Sequence, residues 1–210
     1  DTGMMMEFSV VGFVFYCFPL MFSELERDLG ASQTQLSSAL SLFFIFSTLA
    51  SIFLGRILDK YSIKGIMTLG GIIFSLGLFS IAMVENTLSL LLIYATLIAI
   101  GGPALGNLSI TKLVANWFDS KAGMALGIAA IGISFSGVVL PILVDPLIDS
   151  IGWRNVYLVF GAAVVFILLP AVRILVINTP EEIGQKKDNL ESQLTVNTNQ
   201  KLLNISDFFK

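Results

Sequence analysis

Histidine is missing from all 210 residues, and cysteine occurs once. These absences remove whole classes of chemistry. Without imidazole there is no Ser-His triad, no Cys-His dyad, no histidine-ligated haem and no zinc site built on paired histidines. The lone Cys17 has no partner for an internal disulfide and cannot build a cysteine-rich metal site. No metal or cofactor is expected, and no enzyme. Charge is also scarce: 13% of the residues are charged, against roughly 25% in a soluble domain.

What is present is apolar surface. Hydrophobic residues make up 55% of the chain, and the mean hydropathy is +0.87. The apolar residues gather in six long runs, expected at about 4–23, 36–58, 65–84, 88–114, 122–144 and 156–177. A helix rising 1.5 Å per residue needs about 20 such residues to cross the hydrocarbon core. The runs are too long and too many for a signal peptide. The fold class expected is therefore an all-α polytopic membrane protein of six transmembrane helices, with the lipid bilayer as its surroundings. The net charge of −3 belongs to loops and tail, and no nucleic-acid partner is expected.

Between the runs the chain carries turn and cap signals. Glu24, Glu26, Arg27 and Asp28 read as an acidic loop after Pro19, and Ser32 as the cap of the second helix. Glu85-Asn86-Thr87 is a tight turn, and Trp117-Phe118 suits an interfacial aromatic belt. Asp145, Asp149 and Arg154 bracket the turn after the fifth run, and 179–210 reads as a polar linker. The chain opens on Asp1-Thr2-Gly3 without an initiator Met, so residues are expected upstream. Its last ten residues read as the approach to a further helix.

Basic residues set the orientation. Alternating the loops puts Arg56, Lys60, Lys64, Lys112, Lys121, Arg173 and the four tail lysines on one side, and Arg27 and Arg154 on the other. Ten against two is a positive-inside signal, so both the start and the tail are expected in the cytoplasm.

Between the second and third runs lies a charged hinge, Gly55-Arg56-Ile57-Leu58-Asp59-Lys60-Tyr61-Ser62-Ile63-Lys64. Four charges in ten residues cannot sit in lipid, where each costs several kcal/mol, so the hinge is an aqueous turn. Gly55 allows a close helix approach, and Asp59 can cap a helix or pair with a base, Lys112 being a partner near the same face. This hinge resembles the signature loop of the major facilitator superfamily through Gly55, Asp59, Lys60 and Lys64. Ser62 stands where that family usually has Gly, and Ile63 where it often has a base.

The stretch Trp117-Phe118-Asp-Ser-Lys121-Ala-Gly123-Met-Ala125-Leu-Gly127 is similar to the monocarboxylate and oxalate/formate branch. Gly152-Trp153-Arg154 and Pro180-Glu181-Glu182-x-Gly184 are similar to it too. The resemblance implies the N-terminal six-helix half of a twelve-helix transporter, whose partner is a C-terminal six-helix half. It implies a plasma (inner) membrane location and secondary transport of a small organic anion by alternating access, with proton coupling or exchange. A neutral or cationic solute, or a non-transporting sensor, are the alternatives.

An internal repeat supports this reading. Asp59-x-x-Ser62-x-Lys64 follows the second run, and Asp149-x-x-Gly152-x-Arg154 follows the fifth. Acid, small residue and base recur three runs apart, as two inverted three-helix units would leave them.

The candidate site residues are few. Glu7 is a substrate or proton-binding candidate if the first helix starts upstream of it, and a solvated interfacial acid otherwise. Tyr16 lies about 180° around the same helix, so only one of the two faces a cavity. Asn107 and Thr111, four residues apart on one face, either touch substrate or bond a neighbouring helix. Gly102 with Gly106, and Gly123 with Gly127, are small-xxx-small pairs expected to pack helices. No base falls at mid-depth in any run, including the first, where some monocarboxylate carriers place a lysine.

Overall fold

The computed structural model describes residues 2–185 of the chain. Positions 186–210, which hold most of the expected linker, lie outside the described residues. Six helices run through the rest, each long and apolar enough to cross a membrane: α1 Thr2–Leu29, α2 Gln33–Leu58, α3 Ile63–Ala82, α4 Thr87–Trp117, α5 Ala122–Ile151 and α6 Trp153–Leu175.

Local chemistry marks the boundaries. Ser32 opens α2 with a capping box: its Oγ accepts the Gln35 amide at 3.3 Å, and its own amide donates to Gln35 Oε1 at 2.9 Å. Ser62 and Asn86 cap α3 and α4 by accepting the amides of Gly65 and Ser89. Between α5 and α6 the chain reverses on the single residue Gly152, whose φ of 79° favours glycine.

Two helices outrun their expected ends. The acidic stretch 24–28 is helical, not a loop, because Phe22–Leu29 resumes after a 3₁₀ turn that starts at Pro19. The Phe22–Leu29 segment is amphipathic, with Leu25 fully buried and Glu26, Arg27 and Asp28 exposed. Similarly, α5 continues through Asp145, Pro146 and Asp149 to Ile151.

The helix α3 is the hub. In its most apolar window 61% of residues are buried, against 11% for α2, which lies at the periphery. Glycines allow the close seams. A Cβ on Gly101 of α4 would stand 2.5 Å from the Phe74 amide nitrogen of α3, and one on Gly70 would stand 2.6 Å from Ala104. Gly161 of α6 packs under the Phe79 ring, and Gly132 of α5 lies against the Met4 carbonyl of α1.

The expected pairs divide unequally. Gly102 and Gly106 are buried beside Val10, with Phe43 also against Gly102. Gly123 and Gly127, on the less buried α5, have nothing within 4 Å of a would-be Cβ, and neither has Gly55. Among the described residues, no neighbour stands where Gly123 and Gly127 were expected to pack.

The layout is that of an inverted repeat. Exchanging α1-α2-α3 with α4-α5-α6 turns the α1–α5 contact into the α4–α2 contact, and both occur. It maps the α3–α6 pair onto itself. At one end of that pair, the Ser62 hydroxyl (3.0 Å) and Lys64 amide (2.9 Å), at the start of α3, donate to Asn178 Oδ1 beyond α6. At the other, Arg154 at the start of α6 donates to the carbonyls of Ala82 (3.4 Å) and Val84 (2.8 Å), at the end of α3. The sequence repeat thus marks the two ends of one antiparallel helix pair.

Candidate functional site

The α1, α2, α4 and α5 helices frame a cavity of about 250 Å³, lined by Glu7, Ser47, Ser51, Asn107, Ile133 and the rings of Phe15, Phe43 and Phe44, among others. Glu7 is 4% exposed and so lies inside the bundle. The described residues give its carboxyl no hydrogen bond and no ion pair, and its remaining exposure is to the cavity. An ionised carboxylate left so would be costly, so the group needs a proton or a counter-charge as its partner.

Opposite Glu7 the α4 helix is interrupted. Pro103 removes an amide from the ladder, and the helix stops at Leu105. The Gly106 amide closes the upstream segment on the Gly102 carbonyl at 2.8 Å. A new segment, Asn107–Trp117, begins with the Ile110 amide on the Gly106 carbonyl at 3.0 Å, and no side chain caps it. The Ser109 hydroxyl takes the Ala104 carbonyl at 2.5 Å. Thr111 Oγ1 donates to Asn107 Oδ1 at 3.4 Å, so the Asn107 amide presents its NH₂ as the open side.

The structure therefore brings Glu7 and Asn107 to one cavity, with Thr111 one turn along and bonded to Asn107. Tyr16 faces elsewhere, covering Gly137 of α5. Ser47 and Ser51 were not anticipated from sequence; the Ser51 hydroxyl bonds the Ser47 carbonyl at 2.7 Å. Their only signal is two hydroxyls four residues apart in an apolar run.

At the end of the bundle, Asp59 Oδ1 accepts a hydrogen bond from Lys112 Nζ at 2.6 Å, tying α2 to α4. Both side chains are exposed to water, 65% for Asp59 and 37% for Lys112. Lys60 is exposed, and Lys64 contributes its backbone amide to Asn178. Asn178 is the residue missed here: Asn116 donates to its carbonyl at 3.2 Å, and Trp117 Nε1 to the Ile177 carbonyl at 2.9 Å. Trp117 is thus a hydrogen-bonded anchor between α4 and the chain after α6.

Six apolar helices in two inverted triplets, around a cavity with a buried acid, define a polytopic membrane protein of transporter architecture. The chain belongs to the Major Facilitator Superfamily, whose sequence model matches residues 6–210. That superfamily is itself a standing example of such nested repeats. MFS-type transporter 1 of Ophiocordyceps sp. (strain BCC 1869) is 28% identical over 149 residues, which cover 71% of this chain and 32% of that protein. Monocarboxylate transporter 6 of Mus musculus is 24% identical over 174 residues, or 83% of this chain and 37% of that one. Among solved structures, a bacterial homologue of the human lysosomal transporter Spinster, inward-facing and unoccupied, aligns with a TM-score of 0.69 at 17% identity. The alignment covers 89% of this chain and 43% of that one, and shows the shared fold. The chain spans about a third of the length of the curated relatives it matches.

Proposed function

We propose that this bundle, residues 1–178, is the N-terminal half of a secondary transporter that carries a small organic anion by alternating access. A second six-helix half faces it across the cavity, and 179–210 leads toward that half. The observation that carries the reading is Glu7, buried and unpartnered on a cavity wall inside a bundle of membrane-spanning helices. Intramembrane acids of this kind serve substrates or protons. The anion class is supported by the branch resemblance and by similarity to Monocarboxylate transporter 6. Proton coupling through Glu7 fits the same geometry.

The protein does no covalent chemistry in this reading. It resides in the plasma (inner) membrane, with both the start and the tail of the chain in the cytoplasm, as the ten-to-two distribution of basic residues supports. A cysteine replacing Glu85, in a Cys17→Ala background, then labels from outside. Gly55, Asp59, Lys60 and Lys64 form the conformational motif at the cytoplasmic end, where the Asp59–Lys112 pair holds α2 to α4 in one state and releases it in the other.

A second reading has one observation in its favour. No base lines the cavity from these six helices, so a neutral or cationic solute would meet Glu7 without an anion's electrostatic cost. Proteoliposomes of the full-length protein separate the two. Anion transport predicts uptake of labelled monocarboxylates that an inward proton gradient accelerates. Uptake of an organic cation in its place would overturn the anion reading.

A further inference from the structure

The anion reading leaves a difficulty: a carboxylate in a low-dielectric cavity needs a compensating charge or several donors, and the described residues place no fixed base there. We propose that the start of the second α4 segment, at Asn107, is the seat of the substrate carboxylate, with Glu7 donating a hydrogen bond to it from the opposite wall. The proposal rests on the transport reading above.

The seat is assembled from groups that are otherwise unexplained. The Asn107–Trp117 segment has 11 residues, roughly 16 Å of helix. Counted from Trp117, its first turn falls about halfway across a hydrocarbon core of ~30 Å. A helix start carries roughly half a positive charge on amides that point out of it, and here no side chain caps them. The break treats its two faces differently. Ser109 satisfies the Ala104 carbonyl on the upstream side, whereas the downstream start opens beside the cavity. Asn107 adds its NH₂, held outward by Thr111.

Glu7 is level with this start. It lies between Gly3, beside Ile110, and Val10, beside Gly106, on an antiparallel neighbour. The residue is 4% exposed, and its carboxyl, without a hydrogen-bond partner among the described residues, opens onto the same cavity.

These groups make a proton-dependent anion site. When Glu7 carries a proton, its O–H, the Asn107 NH₂ and the helix start are all donors converging on one space, and a carboxylate suits them. When Glu7 is ionised, its own charge repels the substrate and competes for the same donors. Among the described residues no other ionisable group lines the cavity: α2 contributes Ser47, Ser51 and rings, α4 Asn107 and apolar groups, and α5 Ile133. Proton and anion then occupy the site together as a neutral pair, with no fixed base required from these six helices. The rings of Phe15, Phe43 and Phe44 cover the apolar end of the ligand.

Calorimetry on the purified full-length protein tests this, using lactate and benzoate against lactamide and benzamide from acidic to alkaline pH. The carboxylates should bind at least tenfold tighter than the amides. On the alkaline side their affinity should fall about tenfold per pH unit, as the competent fraction falls. Glu7→Gln keeps a donor but no titrating proton, so its affinity should be flat with pH. Asn107→Ala should weaken carboxylate binding about fivefold, as loss of one neutral hydrogen bond does. Amides binding as well as carboxylates, or a wild-type pH slope in Glu7→Gln, would overturn the seat. If Glu7→Gln fails to reach the membrane, the acid-to-amide comparison in the wild type and the Asn107→Ala result decide. A wild-type protein that moves monocarboxylates but fails these tests loses the seat and keeps the transport reading; one that moves none loses both.

Discussion

Asp59 and Glu7 are carboxylates of the same bundle with opposite circumstances. Asp59 stands at the watery end, 65% exposed, and has Lys112 at 2.6 Å. Glu7 is 4% exposed and has no partner among the described residues. Stability alone would arrange them the other way round, since an exposed ion pair contributes about 0–1 kcal/mol and a buried lone acid costs more than that. On the proposed transport reading, the Asp59–Lys112 pair is a latch and Glu7 a site.

Adding or removing charge at each place sharpens that contrast. The largest effect is expected from Asn107→Asp. It fills the start of the second α4 segment with the chain's own carboxylate, which the helix dipole welcomes. Folding should survive, measured as thermal unfolding in detergent, while monocarboxylate uptake falls by at least tenfold. Full uptake in this variant would mean that the substrate never approaches Asn107. Next comes Asp59→Asn, which should insert normally and unfold within about 1 kcal/mol of wild type, since the pair it breaks is exposed. Uptake should still fall severalfold, because the latch between α2 and α4 is gone. Normal uptake with normal expression would remove Asp59 from the mechanism. Least is expected from Gly127→Ala, which meets open space. Its unfolding should stay within about 0.5 kcal/mol of wild type, and a larger loss would mean that a neighbour packs there after all.

The sequence was legible wherever a local rule decides. Six crossings followed from run length, the cap at Ser32 from residue type, and the Asp59–Lys112 partnership from two charges confined to one watery face. The inverted repeat showed through because Ser62, Lys64 and Arg154 each serve the same helix pair. Legibility ended where a tertiary neighbour decides. Gly102-x-x-x-Gly106 and Gly123-x-x-x-Gly127 have one spacing and different fates, because only the first faces Val10 and Phe43. The burial of Glu7 turned on where α1 begins, which apolar run length alone left open. Gly106 and Pro103 were visible as small and helix-breaking residues, yet an opening beside Glu7 depends on α1 packing level with the break. Asn178 lay beyond the last apolar run, where nothing local signals that it gathers Ser62, Lys64 and Asn116.

The central claim is that Glu7 is kept for function at the expense of stability. Glu7→Leu, measured for thermal unfolding and for monocarboxylate uptake in the same preparation, tests it most directly. Replacing an unpartnered buried acid with an apolar side chain removes a desolvation cost. The account predicts an unfolding temperature equal to or above wild type, together with loss of proton-driven uptake. A protein that unfolds earlier yet still transports would contradict it, and would make Glu7 a structural residue.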